Sequence, residues 1–143
     1  MEWTKNEFSV STDPARLDMI YLHQFLSTTY WAKGIPLEIV QKAIAGSVCF
    51  GMYHGQRQIG FARVITDKAT FGYLADVFID PAYRRKGLSK WMMECVMSHP
   101  ELQGFRRFML ATRDAHGLYR KFGFTGVPNP EIMMQIHNPD VYR

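Results

Sequence analysis

Apolar and polar residues alternate through the middle of the chain and recur at helical spacing on either side of it. Residues 48–53 (VCFGMY) form an apolar run, and HGQR at 54–57 supplies a turn. In the return segment 58–65, Ile59, Phe61, Arg63 and Ile65 alternate with Gly60, Ala62 and Val64. Two such runs around a short polar turn predict a β-hairpin. Residues 73–79 read as a third long strand, closed by Asp80-Pro81, and residues 8–11 as a short first strand.

Asp13-Pro14 has the form of a helix N-cap followed by proline at the first helical position. Leu17, Ile20, Tyr21 and Gln24 follow at helical spacing, so the pattern predicts a helix from there to about Ser27. The stretch TTYWAKG at 28–34 breaks it. Pro36 restarts a helix with Leu37, Val40, Gln41 and Ile44 on one face, and Gly46 ends it. Beyond Gly87, the residues Leu88, Trp91, Met92, Cys95 and Val96 fall at i, i+3, i+4, i+7 and i+8, a strong amphipathic signal for a helix to Ser98. Residues 108–111 read as a strand buried on both faces. Residues 115–121 read as a short helix ended by Gly123, and 124–127 and 132–136 as final strands. This order predicts a mixed α/β fold on one sheet, with residues 1–143 as one domain.

Composition narrows the function classes. The 143 residues are 47% hydrophobic and 14% aromatic, enough for a core and unlike a disordered chain. The net charge of +4, without a like-charge block, argues against a nucleic-acid footprint and allows anionic small molecules near a local basic cluster. Cys49 and Cys95 both sit in apolar patterns and read as buried hydrophobes of a reducing compartment, although spacing alone does not exclude a disulfide. The five histidines are scattered, so no metal site is expected. The start MEWTKNEF is unlike a signal peptide, and no apolar run approaches the ~18 residues of a membrane span. The expected setting is the cytoplasm, without membrane partners.

The most informative segment is DPAYRRKGLSKWMM at 80–93. A strand ends, a proline turn follows, and Arg84, Arg85 and Lys86 precede a glycine that opens a helix. A helix start offers unpaired N–H groups and the positive end of the dipole, which suits a pyrophosphate. The segment lacks the lysine and spacing of a Walker A loop and is not GxGxxG. The string Arg84-Arg85-Lys86-Gly87-Leu88-Ser89 resembles the Arg/Gln-x-x-Gly-x-Gly/Ala signature of the GNAT superfamily of N-acetyltransferases, with serine at the last position. Downstream, the segment 112–124 (TRDAHGLYRKFGF) is similar to the family's Asn-x-x-Ala-x-x-Leu-Tyr-x-x-x-Gly-Phe segment at Ala115, Leu118, Tyr119, Gly123 and Phe124; Thr112 stands in place of the asparagine. The resemblance covers roughly residues 46–127.

The resemblance implies a mostly antiparallel central sheet flanked by helices, and an acetyl group moved from acetyl-CoA to a primary amine of a small molecule or peptide. It implies cofactor contacts at Arg84, Arg85, Lys86, Gly87, Leu88 and Ser89, at the strand backbone of Val77, Phe78 and Ile79, and at Asp114 and Tyr119. A homodimer is compatible with it. Tyr119 is the candidate proton donor to the leaving thiolate, since a phenol with a pKa near 10 matches an alkyl thiolate; packing under the sheet is its other reading. Asp76, an acid within an apolar run, is the candidate base, unless alternation points it to solvent. His116 is the runner-up base. Tyr30, Trp31, Phe71 and Tyr73 are candidates to line an amine pocket, or to serve as lids on the core. A domain of this type that binds acyl-CoA without turnover, or one that only presents an interaction surface, stays open at this point.

Overall fold

The computed structural model describes residues Met1–Arg143. Six strands form one sheet in the order β1-β2-β3-β4-β5-β6. They are β1 (Glu2–Lys5), β2 (Phe8–Ser11), β3 (Ser47–His54), β4 (Arg57–Thr66), β5 (Phe71–Ile79) and β6 (Arg107–Leu110). Every neighbouring pair is antiparallel except β5 and β6, which run parallel. This is the expected mixed, mostly antiparallel sheet, with helices on both faces.

On one face lie α1 (Met19–Thr28) and α2 (Leu37–Ala45), packed on a core that includes Leu22, Leu26, Val40, Phe61 and Phe78. On the other lie α3 (Leu88–Ser98) and the short α4 (His116–Arg120), over Phe50, Ile59, Val64 and Leu74. All five apolar positions expected of α3 are buried. At roughly 1.5–3 kcal/mol for each large aliphatic or aromatic side chain withdrawn from water, this stripe holds α3 against the sheet. No helix is long and apolar enough to cross a membrane.

Three expectations are corrected. Asp13-Pro14 does not start α1. Asp13 accepts from the Ala15 amide and closes a single 3₁₀ turn (Pro14–Arg16), after which Leu17 is extended. Asp18 is the true N-cap, accepting from the Tyr21 amide at 3.1 Å. Strand β6 is not buried on both faces. Its residues are at most half-buried, because only β5 pairs with it. Residues 124–127 and 132–136 form no strand, and Met134 and Ile136 are fully exposed. Pro128 and Pro130 remove ladder donors between them, and a 3₁₀ turn (Pro130–Ile132) leads into the second segment. An apolar alternation without a paired neighbour does not make a strand. Strand β1 is an addition to the expected elements, because EWTK carries no apolar alternation to mark it.

The sheet positions one more feature. Strands β5 and β6 pair only from Phe71↔Arg107 to Leu74↔Leu110. Strand β5 then runs on to Ile79, and its backbone from Ala75 onward has no strand beside it on the β6 side.

Candidate active site

The unpaired part of β5 carries a β-bulge. Phe61 pairs with Phe78 and Arg63 with Ala75, so Ala62 alone faces Asp76 and Val77. Asp76 has φ 57°, a left-handed conformation that Asp and Asn tolerate better than other non-glycine residues. The bulge turns its carboxylate toward two donors. Trp31 Nε1 donates to Oδ1 at 2.8 Å, and Arg63 Nε donates to Oδ2 at 2.8 Å. Arg63 also donates from Nη1 to Ser47 Oγ at 3.1 Å. Both members of the ion pair are largely withdrawn from water, with side chains 15% and 12% exposed.

At the end of β5 the chain makes the basic turn. Asp80 accepts from the Ala82 amide at 3.0 Å and from the Tyr21 hydroxyl at 3.1 Å, which ties the turn to α1. Burial, then the Asp80 carboxylate, push the Tyr21 phenol well above its ordinary value, so it stays a donor. The Tyr83 hydroxyl shares a 2.8 Å hydrogen bond with His54 Nδ1, and Arg84 Nε donates to the Ile79 carbonyl at 3.1 Å. Arg85 and Gly87 have φ 64° and 73°. A Cβ at Gly87 would meet nothing within 4 Å, so glycine is needed there for its φ and not for space. No side chain caps the start of α3. Its first amides face a turn whose Arg84, Arg85 and Lys86 are exposed, while Leu88 anchors the helix in the core.

Two cavities flank the bulge. A groove of about 500 Å³ runs from Phe25 and Thr28 past Val77, Phe78 and Ile79 to Arg84 and Ser89. A larger cavity of about 740 Å³ holds Arg63, Tyr73, Asp76 and Asp114. Both are lined by Tyr30, Trp31, Val77, Ala115 and Tyr119, and there they meet. The Phe78 ring is buried, stacked on Phe25 with centroids 3.8 Å apart, and the Ile79 side chain is also buried, which leaves their backbone for the groove.

Tyr119 is buried, with its ring edge-on to Phe124. Burial, then the Asp114 carboxylate, raise its phenol above the ordinary value. Among the predicted site residues, the two cavities bring together Tyr30, Trp31, Tyr73, Asp76, Val77, Phe78, Ile79, Arg84, Ser89, Asp114 and Tyr119. Arg85, Lys86, Gly87 and Leu88 sit on the adjoining turn. Phe71 is not with the other aromatics; it lies at the far end of β5 beside Thr70, Arg106 and Arg107. His116 is exposed on α4 and lines neither cavity. Thr112 accepts from the Ala115 amide at 3.0 Å and steadies the start of α4. Cys49 and Cys95 are free and buried, and burial pushes both thiols up to about 12, so neither is a nucleophile.

Three further residues belong to the site. Arg63 is the one charge in the alternating run 58–65, but the sequence pattern does not show its partner. Tyr21 looked like an ordinary helix-face residue. Arg113 places its guanidinium 3.6 Å from the centroid of the Tyr30 ring and so bridges the loop before α4 to the loop after α1.

The geometry has counterparts. Residues 45–126 match the model of the acetyltransferase (GNAT) domain. A Gibberella zeae protein named for an inferred acetyltransferase activity is 34% identical over 142 residues, covering 83% of this chain and 79% of its own. A crystal structure from Xanthomonas campestris pv. campestris, assigned to the GNAT family as an inferred acetyltransferase, is 53% identical. It superposes with a TM-score of 0.92 over 94% of this chain and 96% of that one. A Clostridium acetobutylicum protein solved with acetyl-CoA shares the fold at 14% identity, with a TM-score of 0.65 over 96% of each chain. With its family model spanning more than half its length, this chain belongs to the GNAT family of acetyltransferases.

Proposed function

We propose that this protein transfers an acetyl group from acetyl-CoA to a primary amine by direct attack of the amine on the thioester. The observation that carries this reading is the meeting of the two cavities at Val77 and Tyr119, beside the bulge of β5. One cavity leads to the basic turn and the start of α3; the other leads to the Asp76 carboxylate. The fold neighbour from Clostridium acetobutylicum, solved with acetyl-CoA, supports the choice of co-substrate.

The residues divide the work as follows. The amides at the start of α3, with Arg84, Arg85 and Lys86, take the pyrophosphate. The unpaired backbone of Val77, Phe78 and Ile79 takes the amide-bearing arm as an added strand would be taken. Bulge amides orient the thioester carbonyl and stabilise the charge that develops on its oxygen. Asp76 has four acceptor sites on its carboxylate, and Trp31 and Arg63 occupy two of them. Those remaining accept the proton of the attacking amine, directly or through a water. Tyr119, held protonated by burial, gives its proton to the departing thiolate.

A thiol-release assay over a panel of primary amines tests this. Amine-dependent release is expected, together with thermal stabilisation by acetyl-CoA equivalent to about 2.7 kcal/mol at 100 times the dissociation constant. Stabilisation without release for any amine would make the chain a binding module and refute the enzyme reading.

A further inference from the structure

The identity of the acceptor follows from the charges in the larger cavity; this step rests on the transferase reading above. Arg63 occupies the middle of β4, between the fully buried Ala62 and Val64. Its ion pair with Asp76 is nearly removed from water. Such a pair stabilises a fold little better than apolar side chains of the same volume, so its presence in a cavity wall points to a ligand. The pair has unused donors and acceptors. A guanidinium carries five N–H groups. One from Nε goes to Asp76 and one from Nη1 goes to Ser47, leaving three. The Asp76 carboxylate retains two of its four acceptor sites after Trp31 and Arg63 are counted.

The cavity wall therefore offers a residual acceptor and residual planar N–H donors next to one another, in a cavity also lined by Tyr30, Trp31 and Tyr73. The other charges on this wall, Arg113 and Asp114, are exposed. A polyamine would set a second cation against the Arg63 guanidinium. A simple alkylamine or an aminosugar would leave the three remaining N–H groups of Arg63 without a carboxylate to accept from them. An α-amino acid presents an amine and a carboxylate one carbon apart and complements both groups.

We propose that the acceptor is a free α-amino acid with an apolar or aromatic side chain. Its amine lies on Asp76 at the junction of the cavities, and its carboxylate lies on the free N–H groups of Arg63. The neutral amine nitrogen forms a bond to the acetyl carbonyl carbon as the carbon–sulfur bond breaks. Asp76 accepts the amine proton, Tyr119 supplies one to the thiolate, and exchange with solvent restores both. The products are the N-acetyl amino acid and the free thiol of coenzyme A.

The test compares phenylalanine, phenylalaninamide, phenethylamine and spermidine in the thiol-release assay. For the wild type, kcat/KM for phenylalanine should exceed that for either analogue lacking the carboxylate by about tenfold or more, in line with one charge-assisted hydrogen-bonded contact of about 1.5–3 kcal/mol. In Arg63→Gln the ratio of acid to amide should fall toward one. Arg63→Lys, which keeps the charge but not the fork, should retain part of it. A wild type that prefers the amide, phenethylamine or spermidine overturns the proposal while leaving the transferase reading intact. A ratio unchanged in Arg63→Gln overturns it as well, and returns Arg63 to holding the bulge. If no amine is acetylated, the transferase reading and the acceptor role fall together. Calorimetry of phenylalanine binding to the protein saturated with coenzyme A reads recognition apart from turnover: binding lost in Arg63→Gln supports the placing of the carboxylate on Arg63, and no binding to the wild type overturns it. Where Arg63→Gln does not fold, Arg63→Lys and the wild-type ratio carry the test.

Discussion

Residues 84–89 are six consecutive positions that present backbone amides and exposed cations to one end of the cleft. The other end gathers Trp31 from a loop, Arg63 from β4 and both Tyr73 and Asp76 from β5, and it works through side chains. The first end is held in shape by φ values at Arg85 and Gly87 and by the Asp80–Tyr21 tie. The second is held by a buried ion pair and a tryptophan hydrogen bond. On the reading proposed above, substitutions at the basic turn should change acetyl-CoA affinity, and those at the aromatic end should change turnover and acceptor choice.

The largest effect is expected at Asp76. Asparagine also tolerates a φ of 57°, so Asp76→Asn suits the bulge backbone, removes the negative charge and, with one carbonyl oxygen left, gives up one of the two hydrogen bonds from Trp31 and Arg63. A lost general base typically lowers kcat by about 10²–10⁴-fold, with acetyl-CoA affinity little changed. Wild-type turnover at neutral pH would leave Asp76 as a scaffold for Trp31 and Arg63.

Tyr119→Phe comes next. Steady-state kinetics should show kcat lower by about 10²-fold with acetyl-CoA binding preserved, because the lost contact belongs to the transition state. The pH profile adds a second check. Burial and Asp114 raise the phenol above its ordinary value near 10, so it stays protonated through neutral and mildly alkaline pH. The rate should therefore show no decline from this group until the pH nears that ordinary value. A Tyr119-dependent loss of rate well below that pH would contradict the donor role.

Gly87→Glu acts at the opposite end. The carboxylate would stand at a helix start that favours anions, on a backbone that disfavours side chains. Calorimetry should find acetyl-CoA affinity reduced by about tenfold or more in protein that remains folded by circular dichroism. Equal affinity would remove the basic turn from the site. The smallest effect is expected for Tyr21→Phe, which deletes the hydroxyl on Asp80 and leaves the ring. Loss of one hydrogen bond to a charged group, about 1.5 kcal/mol at its source, reaches the ligand indirectly. The KM for acetyl-CoA should rise severalfold at constant kcat; a fall in kcat instead would place Tyr21 in the chemistry.

The contrast between the two ends also explains what could be read from the chain. A site made of backbone needs glycine, a turn and local charge, and these must be adjacent in sequence, so the motif at 84–89 stood out. The β3–β4 hairpin and α3 were legible for the same reason, since burial on one face imposes a local period. The aromatic end depends on long-range pairing. Arg63 and Asp76 are 13 positions apart, and Trp31 and Asp76 are 45 apart. The antiparallel register of β4 and β5, with its bulge, brings Arg63 to Asp76, and the loop after α1 brings Trp31. Asp76 could be flagged as an acid in an apolar run, but its partners could not. The ring of Phe71 is visible in the sequence, but its place at the start of β5 puts it beside Thr70, Arg106 and Arg107, away from the other aromatics. The segment 132–136 had the composition of a strand, but what makes a strand is a neighbour to pair with, and composition does not supply one.

The central claim is that acetyl-CoA lies along the free edge of β5, from the bulge to the start of α3. Amide-resolved NMR of the folded protein during titration with acetyl-CoA tests it most directly. The account predicts saturable shifts at Val77, Phe78 and Ile79 and at residues 85–89, with strands β1 and β2 unchanged. No saturable shift at these amides, or shifts confined to the outer edge of β6 and the segment 132–136, would contradict it.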